Sequence, residues 1–185
     1  MLRIAVIVAN GTEDTELVVP VDIWRRAGLI VKLISIEKKK NVVLAHGCKI
    51  SCDEILSKEN LSKHNAIFLP GGPGYKMFNE KDTPKLVAFV KKFANDKKTT
   101  FMSICAATKC YADWGVLGHN KVTCYPDIDK SNFQQNYVKQ DVVVSNNFIT
   151  ASGPGVASDF AFTVVEKLVS PNKAKDIAKK MLYKW

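Results

Sequence analysis

One cysteine stands where a reactive thiol would be placed. In TTFMSICAATKC (99–110) an apolar run ends at Cys105, and the small residues Ala106 and Ala107 follow at once. A strand that turns sharply into a helix aims its turn residue outward, as the nucleophile elbow of serine hydrolases does. Small neighbours permit the turn. The positive end of a following helix favours thiolate, so a lowered thiol pKa is expected. The N–H groups of Ala106 and of Gly72, in LPGG (69–72), are candidates for an oxyanion hole. The plain alternative is a buried, inert thiol, and spacing alone leaves both open.

A carboxyl is the second ingredient. ANGTEDTE (9–16) offers Glu13, Asp14 and Glu16. All three suit the first turns of a helix, where acids complement the dipole. A partly buried one beside Cys105 would have a raised pKa and would donate or accept a proton. Spacing does not choose among the three.

Other chemistry-bearing residues are weaker candidates. Cys110 lies five residues past Cys105 and reads as core. Cys124, in TCYP, sits on a segment placed to overhang the site, where it would act as a resolving thiol. His46, Cys48 and Cys52 in HGCKISC lack a second ligand cluster, so no metal is expected. His64 and His119 fall in polar turns and are expected on the surface. There is no Walker motif, no HExxH and no G-x-G-x-x-G after the first strand, and no organic cofactor is expected.

The elements that must hold these residues alternate. Short, β-branched, continuous runs at 2–9, 29–36, 65–72 and 99–105 read as strands buried on both faces. Helical spacing begins at EDTELVVPVDIWRRAG, where Pro20 is expected to kink or strain the middle. It recurs at 83–98, after Cys105, in GPGVASDFAFTVVEKLV and in NKAKDIAKKMLYKW. Residues 42–52 read as a hairpin-like excursion, KVTCYP as the start of a short strand, and 138–152 as two strands about a turn at Asn146–Asn147. This is an α/β pattern: one domain over 1–185, a mostly parallel sheet and helices on both faces. In such sheets ligands bind outside the carboxyl ends of the strands, where ANGTEDTE, LPGG and Cys105 all fall.

Composition narrows the class. Hydrophobic residues make up 46% and charged residues 24% of the 185, as in ordinary globular chains. The net charge of +9 comes from scattered lysines without interleaved aromatics, so no nucleic-acid partner is expected. Solvated faces, or weak attraction to anions, account for it. The apolar runs are too short to span a bilayer, and the N-terminal run reads as a strand rather than a signal peptide. Five cysteines, an odd count, suit free thiols in a reducing, cytoplasmic setting.

At the level of motifs the sequence resembles a known family. EDTELVVPVDIWRRAG, AIFLPGGPG, SICAAT, KVTCYP and ASGPGVASDFAFTVVEKL occur in that order over nearly the whole chain. Together they resemble the ThiJ/PfpI superfamily (class I glutamine amidotransferase-like), most closely its DJ-one branch. The resemblance implies a flavodoxin-like three-layer sandwich and a homodimer. It makes Cys105 the elbow cysteine and Glu16 the glutamate that hydrogen-bonds it. It places oxyanion or substrate contacts at Gly71, Gly72, Ala106, Tyr125 and Pro154. It implies conversion of small 2-oxoaldehydes such as methylglyoxal to 2-hydroxy acids without glutathione, deglycase action, oxidation of the cysteine to sulfinic acid, and a stress-protective role. Three positions depart from the pattern. Ala106 stands where protease-like members carry a histidine, so a Cys–His protease lacks its base. Tyr125 and Gly47 stand where the branch carries a pocket histidine and an arginine from the partner subunit. An old link of some members to thiazole synthesis finds no support in these residues.

Overall fold

The computed structural model describes residues 1–185. In chain order the elements are β1 (Arg3–Val8), α1 (Asp14–Arg26), β2 (Ile30–Ser35), β3 (Asn41–Val43), β4 (Lys49–Ser51), β5 (Glu54–Ile55), β6 (Ala66–Leu69), α2 (Pro84–Phe93), β7 (Thr100–Ile104), α3 (Thr108–Asp113), β8 (Val142–Ser145), β9 (Phe148–Ala151), α4 (Ala157–Leu168) and α5 (Pro171–Lys180). The main sheet has the order β5-β2-β1-β6-β7-β9-β8. All neighbours are parallel except β8, which returns antiparallel to β9 through Asn146–Asn147. β3 and β4 form a separate antiparallel pair. The long parallel strands run 2-1-3-4-5 in sequence order, the flavodoxin-like arrangement, with the order reversing between β1 and β6.

Alternation along β1 shows why both sheet faces are covered. Ile4, Val6 and Val8 join one apolar cluster with α1, α4 and α5; Ala5, Ile7 and Ala9 join the other, with α2 and α3. The first cluster fixes α1. Trp24 stacks edge-on against Phe68 at 5.1 Å and Phe160 at 5.9 Å, and its Nε1–H donates to Ala161 O at 3.1 Å. Burying each such phenylalanine contributes about 1.5–3 kcal/mol. That is enough to carry α1 unbroken through Pro20, whose missing N–H and ring cost about 3 kcal/mol in a helix interior.

Two sequence expectations differ from the structure, and one short strand, β5, has no counterpart in the sequence pattern. KVTCYP forms no strand: it makes one bridge, Val122 with Tyr137. Its polar side chains take over, since Thr123 N–H donates to Thr150 Oγ1 and Thr123 O–H to Gln140 O. The two-residue β5 is too short to carry a period. His64 is buried rather than exposed, because its Nε2 meets Glu59 Oε1 at 3.0 Å and Glu59 also binds Lys32. Burial pushes the Glu59 carboxyl up, and those two partners more than offset it, holding it below the usual range.

Candidate active site

The elbow forms at the carboxyl end of β7. Ile104 is extended, and then Cys105 takes φ 60° and opens a 3-10 turn over Cys105–Ala107 that leads into α3. A non-glycine residue in this left-handed region costs roughly 1–2 kcal/mol. Three bonds pin the turn. Ser103 Oγ and Thr108 Oγ1 meet at 2.8 Å across it, Tyr111 O–H donates to Met102 O at 3.0 Å, and Tyr125 N–H donates to Cys105 O at 3.2 Å. The Ser103–Thr108 pair was legible in SICAAT only as two hydroxyls five apart.

The glycines after β6 close the other side. Gly71 N–H donates to Glu16 Oε2 at 2.8 Å, and Glu13 N–H donates to Gly71 O at 3.0 Å. A Cβ added at Gly71 would stand 2.6 Å from Glu16 Oε2 and 2.8 Å from Cys105 Cβ. Gly72 has φ 82°, and its Cβ would stand 2.4 Å from Glu13 N. Both glycines are therefore required by space, and Gly72 by conformation as well. Gly71→Ala is expected to push Glu16 and Cys105 apart. Its iodoacetamide labelling at Cys105 should fall at least about tenfold, with about 1–3 kcal/mol of stability lost to overpacking. Unchanged labelling would show that the cradle is looser than this.

Of the three acids, only Glu16 is fully buried, on the face of α1 that also carries Leu17 and Trp24. Its Oε1 is sealed from solvent without an N–H or O–H donor, and the Cys105 thiol stands beside the carboxyl. Burial pushes Glu16 up to about 7; bonds from Cys105 and Gly71 restrain the rise, and the nearby Glu13 charge adds to it. Cys105, 9% exposed, is pushed up to about 12 by burial and then by the charge and hydrogen bond of Glu16, while the N–H groups of Ala106 and Gly72 pull it down. The expected lowering of the thiol pKa is thus reversed. α3 has only six residues and starts three positions after the sulfur, so its dipole is outweighed by burial and a carboxylate.

These two groups titrate as a unit. Below about 7 they hold two protons; between about 7 and about 12 they share one. The one-proton state includes S–H with carboxylate and thiolate with carboxylic acid. In this arrangement the Glu16 carboxyl is the group able to take the thiol proton.

The N–H groups of Gly72 and Ala106 lie at the Cys105 sulfur, and Gly71 packs between Glu16 and Cys105. Tyr125 joins through its backbone, with a ring 40% exposed that lies against Gly153. Pro154 follows Gly153 and opens the 3-10 turn that leads into α4. Cys110 and Cys124 are buried in the cluster on the opposite sheet face from Cys105. Cys124 is 1% exposed and pushed up to about 11 by burial, so its thiol does not overhang the site.

Comparison with known proteins agrees with this geometry. The sequence profile of the DJ-1/PfpI family matches residues 2–167. The chain belongs to the DJ-1/PfpI family. It is 31% identical over 180 residues to protein dj-1beta of Drosophila melanogaster, covering 96% of this chain and 95% of that protein. It is 34% identical to protein DJ-1 homolog B of Arabidopsis thaliana over 95% of this chain, but spans only 40% of that relative's length. The solved structure of oxidised Toxoplasma gondii DJ-1 superposes over the whole of both chains with a TM-score of 0.91 at 29% identity. The flavodoxin-like architecture is therefore that of DJ-1 proteins. No helix of this DJ-1/PfpI chain is long and apolar enough to cross a membrane.

Proposed function

We propose that this chain is a cysteine-dependent, glutathione-independent glyoxalase-type enzyme that converts 2-oxoaldehydes such as methylglyoxal to 2-hydroxy acids. The observation that carries the reading is the fully buried Glu16 carboxyl beside the Cys105 thiol, with the backbone N–H groups of Gly72 and Ala106 at the sulfur. Cys105 sulfur bonds to the aldehyde carbon as Glu16 takes the thiol proton. The N–H groups of Gly72 and Ala106 hold the developing oxyanion, which is protonated to a hemithioacetal. Glu16 removes the proton from that carbon and returns one to the neighbouring carbon through an enediol. The product is a thioester of the 2-hydroxy acid, which water cleaves to release the acid and restore the thiol. The hydroxyl of the exposed Tyr125 would bind the substrate's second oxygen. Every group in this scheme is a side chain or backbone amide of the chain itself.

Ala106 after the cysteine, with His64 committed to Glu59 and His119 exposed, speaks against a Cys–His protease. Five free cysteines fit a reducing compartment. The exposed Val18 lines a hollow of about 270 Å³ with Leu17, Val21, Leu33 and Ile50, edged by Asp22 and Arg25, and this face suits a homodimer contact.

Purified protein mixed with methylglyoxal without glutathione is expected to form lactate, followed by NMR. Iodoacetamide labelling of Cys105 is expected to rise with pH through about 7, where the pair loses its first proton. Labelling that rises only as a free thiol does would contradict the shared proton. The Glu16 carboxyl beside the sulfur favours a second reading, a redox sensor: below about 7 its protonated form would donate an O–H to a sulfinate oxygen. Absent lactate with selective peroxide oxidation of Cys105 would favour that reading.

A further inference from the structure

Resting on the Cys105–Glu16 pair of the proposed function, we propose that Glu13 is a positioning residue for that pair: its backbone holds the glycine cradle, and its carboxylate keeps the pair's proton on Glu16. Glu13 is the N-cap of α1, and its Oε2 accepts from Thr15 N–H at 2.9 Å. Glu16 is then the third residue of the helix, the place from which a glutamate ordinarily turns back onto the N–H of its own cap. Here it does not. Gly71 O accepts the Glu13 N–H at 3.0 Å, and Gly71 N–H donates to Glu16 Oε2 at 2.8 Å. One glycine thus stands between the two ends of a capping box and leaves Glu16 facing the sulfur.

The backbone contact has no slack. A Cβ at Gly72 would stand 2.4 Å from Glu13 N and 3.0 Å from Glu13 Cα. Glu13 therefore lies directly against the residue whose N–H reaches Cys105.

Charge follows the same geometry. Residues three apart at a helix start are neighbours, about 5–6 Å between Cβ atoms. The Glu13 side chain is 16% exposed and Glu16 is fully buried, so little solvent screens one from the other. A like charge there disfavours ionised Glu16 and makes it the stronger base. The other charged groups nearby are turned away or wet. Asp14 Oδ2 accepts from His46 N–H at 2.9 Å in the β3–β4 turn. His46 Nε2 is 3.9 Å from Glu13 Oε1, on a side chain 74% exposed. Across the site Glu16 meets the Cys105 thiol. When the pair holds a single proton, a stronger base at Glu16 raises the share of thiolate.

The test is the pH profile of iodoacetamide labelling at Cys105, read by peptide mass spectrometry, in the parent, Glu13→Gln, Glu13→Asp and Asp14→Asn. Glutamine keeps an oxygen for Thr15 N–H and every backbone bond, and loses the charge. Its midpoint is expected to fall by at least about half a pH unit. Its plateau should fall about threefold, the same half unit written as a ratio. Glu13→Asp keeps both charge and cap and should restore the parent profile. Asp14→Asn removes an equal charge one residue away and should leave the midpoint in place. A parent profile that does not rise through about 7 would overturn the pair, and this role with it. A parent that rises as expected, with an unmoved midpoint in Glu13→Gln, no restoration by Glu13→Asp or an equal shift in Asp14→Asn, would overturn the role of Glu13 alone.

Discussion

Cys105→Ser is expected to abolish lactate formation from methylglyoxal while leaving the fold in place. Serine is nearly isosteric and keeps the elbow's bonds, because those run through Ser103, Thr108, Tyr111 and the Cys105 carbonyl rather than through the sulfur. What it loses is acidity. A hydroxyl is far less acidic than a thiol, so a base of pKa about 7 cannot strip it as carbon is attacked. Removing a nucleophile collapses the whole covalent route, and a drop of at least about a thousandfold follows. The measurement is lactate by NMR, with near-ultraviolet circular dichroism as the check on fold. Full activity in the serine variant would end the covalent mechanism.

Glu16→Gln is expected to have two effects that separate chemistry from structure. Glutamine still accepts from Gly71 N–H, yet it takes no proton from sulfur or carbon. General acid–base catalysis contributes about 10²–10⁴-fold, so at least that much activity should go. The second effect concerns stability. The folded chain holds the Glu16 proton more tightly than the unfolded chain, with values of about 7 and 4.5. The stabilisation is fully present below 4.5 and is lost as pH rises through about 7. The gap of about 2.5 pH units corresponds to about 3 kcal/mol. Urea unfolding of the wild type should therefore weaken over that window, and the glutamine variant should be nearly flat across it. Parallel pH profiles for the two proteins would refute the buried, proton-holding Glu16.

The long parallel strands were legible because each is a short, continuous apolar run, and the position of Cys105 followed from the small residues after it. What escaped the sequence depends on partners far along the chain. The thiol was expected to be acidic because the visible neighbour was a helix, whereas the dominant neighbours are a carboxyl 89 residues away and the surrounding core. His64 read as surface because its partner Glu59, itself held by Lys32 on β2, is not evident in its own turn. KVTCYP has the composition of a strand, but its threonine hydroxyl bonds lead it across the elbow instead. Pro20 read as a disruption because local cost was visible and the packing of Trp24 was not. Glu16 could be singled out from Glu13 and Asp14 only by the helix face that Leu17 and Trp24 bury, or by the family resemblance.

The left-handed backbone at Cys105 sets the demands of folding against those of activity. Glycine or asparagine would occupy φ 60° with less strain, and the difference is on the order of 1 kcal/mol. The backbone at this position therefore prefers residues that have no thiol. A library of this chain sorted by abundance or heat resistance alone would tend to accumulate dead elbows, and only a selection that reads the sulfur would keep the cysteine.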